Sequence, residues 1–267
     1  MEKPNAGANA SARWHEVELR GMRLWQSAAL TAIDGLVHAF TPAGRNMSAT
    51  NGPGGEHAER NRREVCAALD LPEQSICVGR QVHGACLARI GRAADDETGT
   101  RIIPDVDGLI TTVVGRPLMA MSADCPVILL YDARRPALGL AHSGWRGTVE
   151  LMPVRLVESL VAECGATPGE IIAVVSPSAG GCCYEVGDDV IARVRAVSTN
   201  ADRHLLSVGG RIHLHLPSLI AELLERAGLP AGSIHLPEQC SICDERFCSY
   251  RRCGANAEHA ALIAALR

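Results

Sequence analysis

Lysine is almost missing from this chain: Lys3 is the only one among 26 basic residues. Schiff-base chemistry, pyridoxal phosphate attachment and the phosphate-loop lysine all need a positioned lysine, so each is excluded. Any bound phosphate then falls to arginine or to backbone amides. No apolar run reaches membrane-spanning length, which argues against a membrane partner. The opening "MEKPNAGANASARWHEVELR" carries charges and lacks the apolar stretch of a secretory signal, so a cytoplasmic protein is expected. A basic excess is also lacking, and the formal charge of −4 gives no reason to expect a nucleic-acid partner. Eleven cysteines are an odd number, and without a secretory signal they favour reduced thiols or metal ligands over a disulfide framework.

What is present describes a globular chain. With 47% hydrophobic and 21% charged residues over 267 positions, a substantial core and one large domain are expected. Residues 1–12 read as a disordered tail and 13–267 as the domain. A long Gly/Pro/Asn/Ser loop spans 41–55, of the kind that is often functional or disordered. Helical spacing follows in "EHAERNRREVCAALD", and recurs in "RGTVELMPVRLVESLVAEC", "GDDVIARVRAV", "LPSLIAELLERAG" and the C-terminal "NAEHAALIAALR". Short runs bounded by turn signals read as strands: "SICVGRQVHG", "ACLARI", "DGLITTV", "PLMAMSAD", "PVILLYD", "ALGLAHS" and "EIIAVVS". Consecutive strands in the middle favour an α+β fold with mixed sheets.

Three reactive side chains fall where these strands break into turns. His83 ends one in "GRQVHG", Cys125 separates two in "SADCPV", and His142 ends another in "AHSGWRG". Two imidazoles and a thiolate suit a borderline-soft cation such as zinc with an open fourth position, the arrangement of a catalytic site. Such a cation lowers the pKa of bound water towards neutrality. Asp124 precedes Cys125 and reads as a general base or as a group orienting a metal ligand, provided the turn twists it towards the same side. Trp145 reads as loop packing ahead of stacking on a ring. Cys125 and His142 also fit a nucleophile and base of a metal-independent cysteine hydrolase.

The motifs "QVHG", "ADCP", "AHSGWRG", "SPSAGGCCYEVG" and "CSICDERFCSYRR" stand in the order found in the laccase-like polyphenol oxidase domain family, and from about Gly35 onward the chain resembles it. That family is described as purine nucleoside phosphorylases with adenosine deaminase activity. The resemblance implies a single-domain four-layer α/β/β/α sandwich, and metal ligands at His83, Cys125 and His142. Zinc is the implied ion, with copper the alternative. The implied partners are a purine nucleoside and phosphate, with the oligomeric state left open. Adenosine, inosine and methylthioadenosine are the implied substrates of phosphorolysis, and adenosine that of deamination. Phosphorolysis needs an anion held near the sugar, for which Arg146, Arg251 and Arg252 offer planar forks.

Several signals weigh less. His213 and His215 form one His-x-His pair where a multicopper oxidase needs several, so they read as structural. Cys240, Cys243, Cys248 and Cys253 begin with a C-x2-C step, but read as the edge of the active site rather than as a zinc knuckle. Cys182 and Cys183 are adjacent, so at most one is expected to face any given site. The chain also departs from its relatives. Ala43 in "FTPA" replaces an arginine, Ser176 a glycine, Ala179 an isoleucine, and Ala255 stands in a missing Gly-Arg. Arg45, two residues past Ala43 across the flexible Gly44, is expected to take over the lost arginine's role imperfectly. These departures leave open a catalytically weakened nucleoside-binding protein.

Overall fold

The computed structural model describes residues 13–49, 55–72, 76–92 and 99–267. The expected tail 1–12 and part of the 41–55 loop lie outside them.

In chain order, a hairpin of β1 (Trp14–Leu19) and β2 (Met22–Ser27) leads through α1 (Ala28–Thr31) to β3 (Leu36–Phe40) and α2 (Gly55–Ala68). Seven strands follow: β4 (Cys77–Gly79), β5 (Leu87–Ile90), β6 (Arg101–Ile103), β7 (Gly108–Thr111), β8 (Leu118–Ser122), β9 (Val127–Asp132) and β10 (Ala137–His142). Then come α3 (Trp145–Val149), α4 (Met152–Cys164), β11 (Ile171–Val175), α5 (Asp188–Val197), the hairpin β12 (Leu205–Val208) and β13 (Arg211–Leu214), and α6 (Leu216–Arg226). The chain closes with β14 (Ile234–His235), α7 (Tyr250–Cys253) and β15 (Ala260–Leu266).

Two large sheets form. One has the order β1-β2-β3-β15-β8-β4-β6 and the other β14-β11-β9-β10-β7-β5. Both are mixed: β4 runs parallel to β6 and β8, β5 to β7 and β11 to β14, while the remaining neighbours are antiparallel. Alternation along β9 shows how the layers stack. Val127, Leu129 and Tyr131 join the core between the sheets, whereas Ile128 and Leu130 face a second core made with α4, α5 and α6. On the far side, Val65 and Cys66 of α2 cover Ala39, Met119 and Met121 of the first sheet. The layers are therefore helix, sheet, sheet, helix, as expected.

The C-terminal segment corrects the sequence reading. Alanine-rich "NAEHAALIAALR" favours a helix by local propensity, yet β15 is a central strand between β3 and β8. All seven of its residues are buried: Ala260, Leu262, Ala264 and Leu266 point between the sheets and Ala261, Ile263 and Ala265 towards α2. A helix exposes one face, and this segment has none to expose, so burial on two sides overrides propensity.

On β3, buried His38 is held neutral: its Nε2 accepts the Ser27 amide at 2.9 Å, and burial followed by the charge on His15 pushes its pKa down to about 4.

Candidate metal centre

Loops from both sheets meet at one end of the sandwich around a cleft of about 560 Å³. His142 is the last residue of β10 in one sheet, Cys125 lies in the turn between β8 and β9 that joins the two sheets, and His83 follows β4. His83 sits four residues past the end of β4, in a loop and not at a strand end. Its ligand atom, the Cys125 thiol and the His142 ring lie within 4.8 Å of one another. The two imidazoles meet edge to face, with centroids 4.8 Å apart.

The backbone is bent to make this possible. His83 and Asp124 have φ of 62° and 85°, a left-handed conformation that costs non-glycine residues about 1–3 kcal/mol each. Gly144 supplies room: a Cβ there would lie 3.0 Å from Cys125 Sγ, 3.5 Å from His83 and 3.6 Å from His142. Only a residue without a side chain lets the three groups converge.

Asp107, which sequence reasoning missed, organises the centre. Its buried carboxylate accepts the amides of Val82, His83 and Gly84, each at 3.0 Å, and His142 Nδ1–H donates to its Oδ1 at 2.8 Å. One acid thus fixes the His83 loop and the tautomer of His142, leaving His142 Nε2 for the cluster. Burial pushes the Asp107 carboxyl up, but the His142 ring and the loop amides overcome it and hold it below the usual range. Its only sequence signal is an acid in "VDGLI" at the start of a buried strand, which many turns share.

The three groups are electrostatically complementary. Burial raises the Cys125 thiol, yet His142 and then His83 bring it down to about 6. Burial likewise lowers His142, but Cys125 and Asp107 outweigh it and lift the ring to about 9. A thiolate, a tautomer-locked imidazole and a second imidazole facing a cleft match the donor set of a borderline-soft divalent cation.

The other expected residues divide. Asp124 lines the cleft, but its carboxylate accepts Ser241 Oγ at 2.6 Å, Ser249 Oγ at 3.0 Å and the Arg251 amide at 2.7 Å, clasping the C-terminal loop. Arg146 and Arg251 line the cleft, stacked on Trp145 at 4.5 Å and Tyr184 at 4.8 Å, with no carboxylate partner among the described residues. Arg252 turns away and donates to the carbonyls of Ser241, Ile242 and Phe247. Arg45 is not brought to the cleft: its guanidinium pairs with Glu64 of α2 at 2.7 Å. His213 is buried and bonded to the Gly181 carbonyl at 3.2 Å, in keeping with a structural role. Gln81, Tyr250 and His259 also line the cleft and were not singled out by sequence reasoning.

All eleven cysteines are free. No helix among the described residues is long and apolar enough to cross a membrane.

Comparison with known proteins agrees with this architecture. The chain is 36% identical over 234 residues, 88% of its length and 87% of the relative's, to a purine nucleoside phosphorylase of Deinococcus radiodurans. It is 31% identical over 202 residues, 73% of its length and 77% of the relative's, to adenosine deaminase RL5 of an unknown prokaryotic organism. The crystal structure of YlmD from Geobacillus stearothermophilus superposes with a TM-score of 0.82 at 26% identity, covering 91% of this chain and 96% of that one. The hypothetical protein YfiH of Bacillus licheniformis gives 0.84 at 25% identity, with the same coverages. Residues 28–265 match the family described as multi-copper polyphenol oxidoreductase laccase, and the chain belongs to that family.

Proposed function

We propose that this chain is a zinc-dependent purine nucleoside enzyme that deaminates adenosine to inosine and cleaves adenosine, inosine and methylthioadenosine with phosphate. The observation that carries the reading is the convergence of His83, Cys125 and His142 at the cleft, with Asp107 holding His142 from behind. Relatives named for both activities support the nucleoside class. Zinc bound by these three residues would supply a Lewis acid and lower the pKa of a bound water; copper is the alternative ion.

The chain's own residues supply binding and orientation. Trp145, Tyr184 and Tyr250 give the cleft aromatic faces for a purine and its ribose. Arg146 and Arg251, free of carboxylates, hold phosphate next to the sugar. In phosphorolysis a phosphate oxygen bonds to ribose C1′ as the C1′–N9 bond breaks, and the departing base takes up a proton. Deamination replaces the C6 amino group with oxygen from water and releases ammonia. Asp124 acts through its grip on the Arg251 amide, setting where that arginine enters the cleft. Arg45 stays bound to Glu64 and is the weakest of the proposed substrate contacts.

A second reading has its own observation: Cys125 beside two imidazoles is also the arrangement of a thiol nucleophile and its base. Product analysis separates the two readings. Purified protein is incubated with adenosine, inosine or methylthioadenosine, with and without phosphate, before and after chelation. The nucleoside reading expects inosine from adenosine, free base only with phosphate, and loss of both on chelation. Turnover that survives chelation together with a covalent adduct on Cys125 would establish the hydrolase instead.

A further inference from the structure

Away from the cleft ligands, Cys182, Cys183, Cys240 and Cys243 have their sulfurs within 4.8 Å of one another. We infer that these four cysteines form a second metal site, a closed tetrahedral thiolate site for a divalent ion such as zinc, which staples the two loops that wall the cleft. It goes beyond the proposed nucleoside chemistry and does not depend on it.

The geometry fits a single ion. A tetrahedral ion bound at about 2.3 Å per sulfur sets its thiolates about 3.8 Å apart. Cys182 and Cys243 stand 4.0 Å apart, so small side-chain rotations close the site. A disulfide, which needs about 2.05 Å between sulfurs, is not formed. The first pair comes from the turn after β11 and the second from a C-x2-C turn before α7, so no contiguous stretch of sequence announces the set. Cys248 and Cys253, which complete the C-terminal run, stay outside it. The expectation that only one of Cys182 and Cys183 faces a given site assumed strand alternation. Both lie in a turn, where adjacent side chains converge.

The surroundings are those of a held thiolate group. The Gly180 amide donates to Cys240 Sγ at 3.2 Å. A Cβ on Gly180 would lie 3.0 Å from the Cys240 Cβ, 3.3 Å from Cys240 Sγ and 3.4 Å from Cys182 Sγ, so a side chain at residue 180 would press on the cluster. Four thiolates on a divalent ion leave a net charge of −2. Arg252 brings a compensating charge onto the same turn, through its bonds to the Ser241 and Ile242 carbonyls at 2.8 and 2.9 Å. Binding the ion releases the thiol protons to solvent. The staple joins the loop that carries Tyr184 to the loop whose Ser241, Ser249 and Arg251 grip Asp124. It has no open coordination position and so holds the wall without acting on substrate.

The test counts ions in the full chain. Apoprotein made under reducing conditions is titrated with Co2+ or Zn2+, with intact mass recorded. Parent protein is expected to bind two equivalents, and a His83→Ala/His142→Ala variant one. The equivalent kept by that variant is expected to give the strong sulfur-to-cobalt charge-transfer absorption of a tetrahedral four-thiolate site, and to protect four cysteines from thiol reagents. Cys182→Ser/Cys240→Ser protein is expected to lose this equivalent and keep the other. Because the His83→Ala/His142→Ala variant retains all four cysteines, the outcome does not hang on whether the cysteine variant folds. A variant lacking both histidines that binds no ion, or that shows a mass 2 Da low from a disulfide among these cysteines, overturns the site.

Discussion

The His83–Cys125–His142 group and the Cys182–Cys183–Cys240–Cys243 group share a plan. Each gathers ligand atoms within 4.8 Å from separate loops, and each does so around a glycine whose Cβ would crowd the sulfurs, Gly144 in one and Gly180 in the other. They differ in donor set and in what faces them. The first mixes one thiol with two imidazoles, is tied to a buried carboxylate and opens on a cleft lined by Arg146 and Arg251, which have no carboxylate partner among the described residues. The second is made of four cysteine sulfurs and lies partly at the surface, and an ion held there would have no open position. Three ligands with an open position suit chemistry, and four closed ones suit architecture. The difference teaches that a cysteine's role here follows from the neighbours its loop meets.

Replacing ligands sharpens that contrast most. His83→Ala or His142→Ala is expected to reduce turnover at least about 1000-fold, because two ligands rarely hold a catalytic ion. Cys182→Ser/Cys240→Ser is expected to lower the melting temperature by several degrees through loss of a bound ion. Steady-state kinetics and thermal melts on the two variants read this directly.

Acid should separate the metal sites from the fold beneath them. His38 has a folded pKa of about 4, below its unfolded value near 6.5, so its contribution is complete above pH 6.5. It is lost as pH falls towards 4, by about 3 kcal/mol in total. In chelator, where no bound ion contributes but the Cys125–His142 pair still titrates, parent and His38→Gln proteins unfolded by urea at pH 7 and pH 4.5 are compared, and the parent should lose about 2 kcal/mol more than the variant. With metal present the loss should be steeper, because protons compete for the ligands.

Arg146→Ala is expected to slow phosphate-dependent cleavage by about one to two orders of magnitude, the worth of a charge-assisted contact of roughly 1.5–3 kcal/mol, while deamination changes little. Arg45→Ala, made in parallel, should have the smaller effect, since Glu64 already holds that guanidinium. Equal effects would put the 41–49 loop into the anion site. Asp107→Asn should weaken metal binding about 10- to 100-fold at the first cluster and leave the second untouched; competition with a chromophoric chelator measures both.

Much of this was legible in the sequence, and the limits are physical. His83, in an exposed loop past β4, was readable only through its place in motifs that occur in family order, whereas Cys125 and His142 were readable because each lies where a buried apolar run meets Gly or Pro. The middle strands were readable for the same reason: β8, β9 and β10 are bounded by turn residues and buried throughout. What escaped depends on tertiary partners. β15 has a helix former's composition and is a strand because two layers cover it. Asp107 is one acid among many until its loop folds over it. Arg45 lies one flexible residue from where an arginine was wanted, yet a helix carboxylate claims it. Cys182 and Cys243 stand 61 residues apart, and only the contact between their loops makes them neighbours.

The central claim is that one of these two clusters holds the reactive ion and does so through Cys125. The measurement that tests it most directly is metal content and adenosine turnover on the same preparation of Cys125→Ala protein. The account predicts loss of one metal equivalent together with both inosine formation and phosphate-dependent cleavage, in a protein that still melts cooperatively. Full metal occupancy with turnover near that of the parent would contradict it.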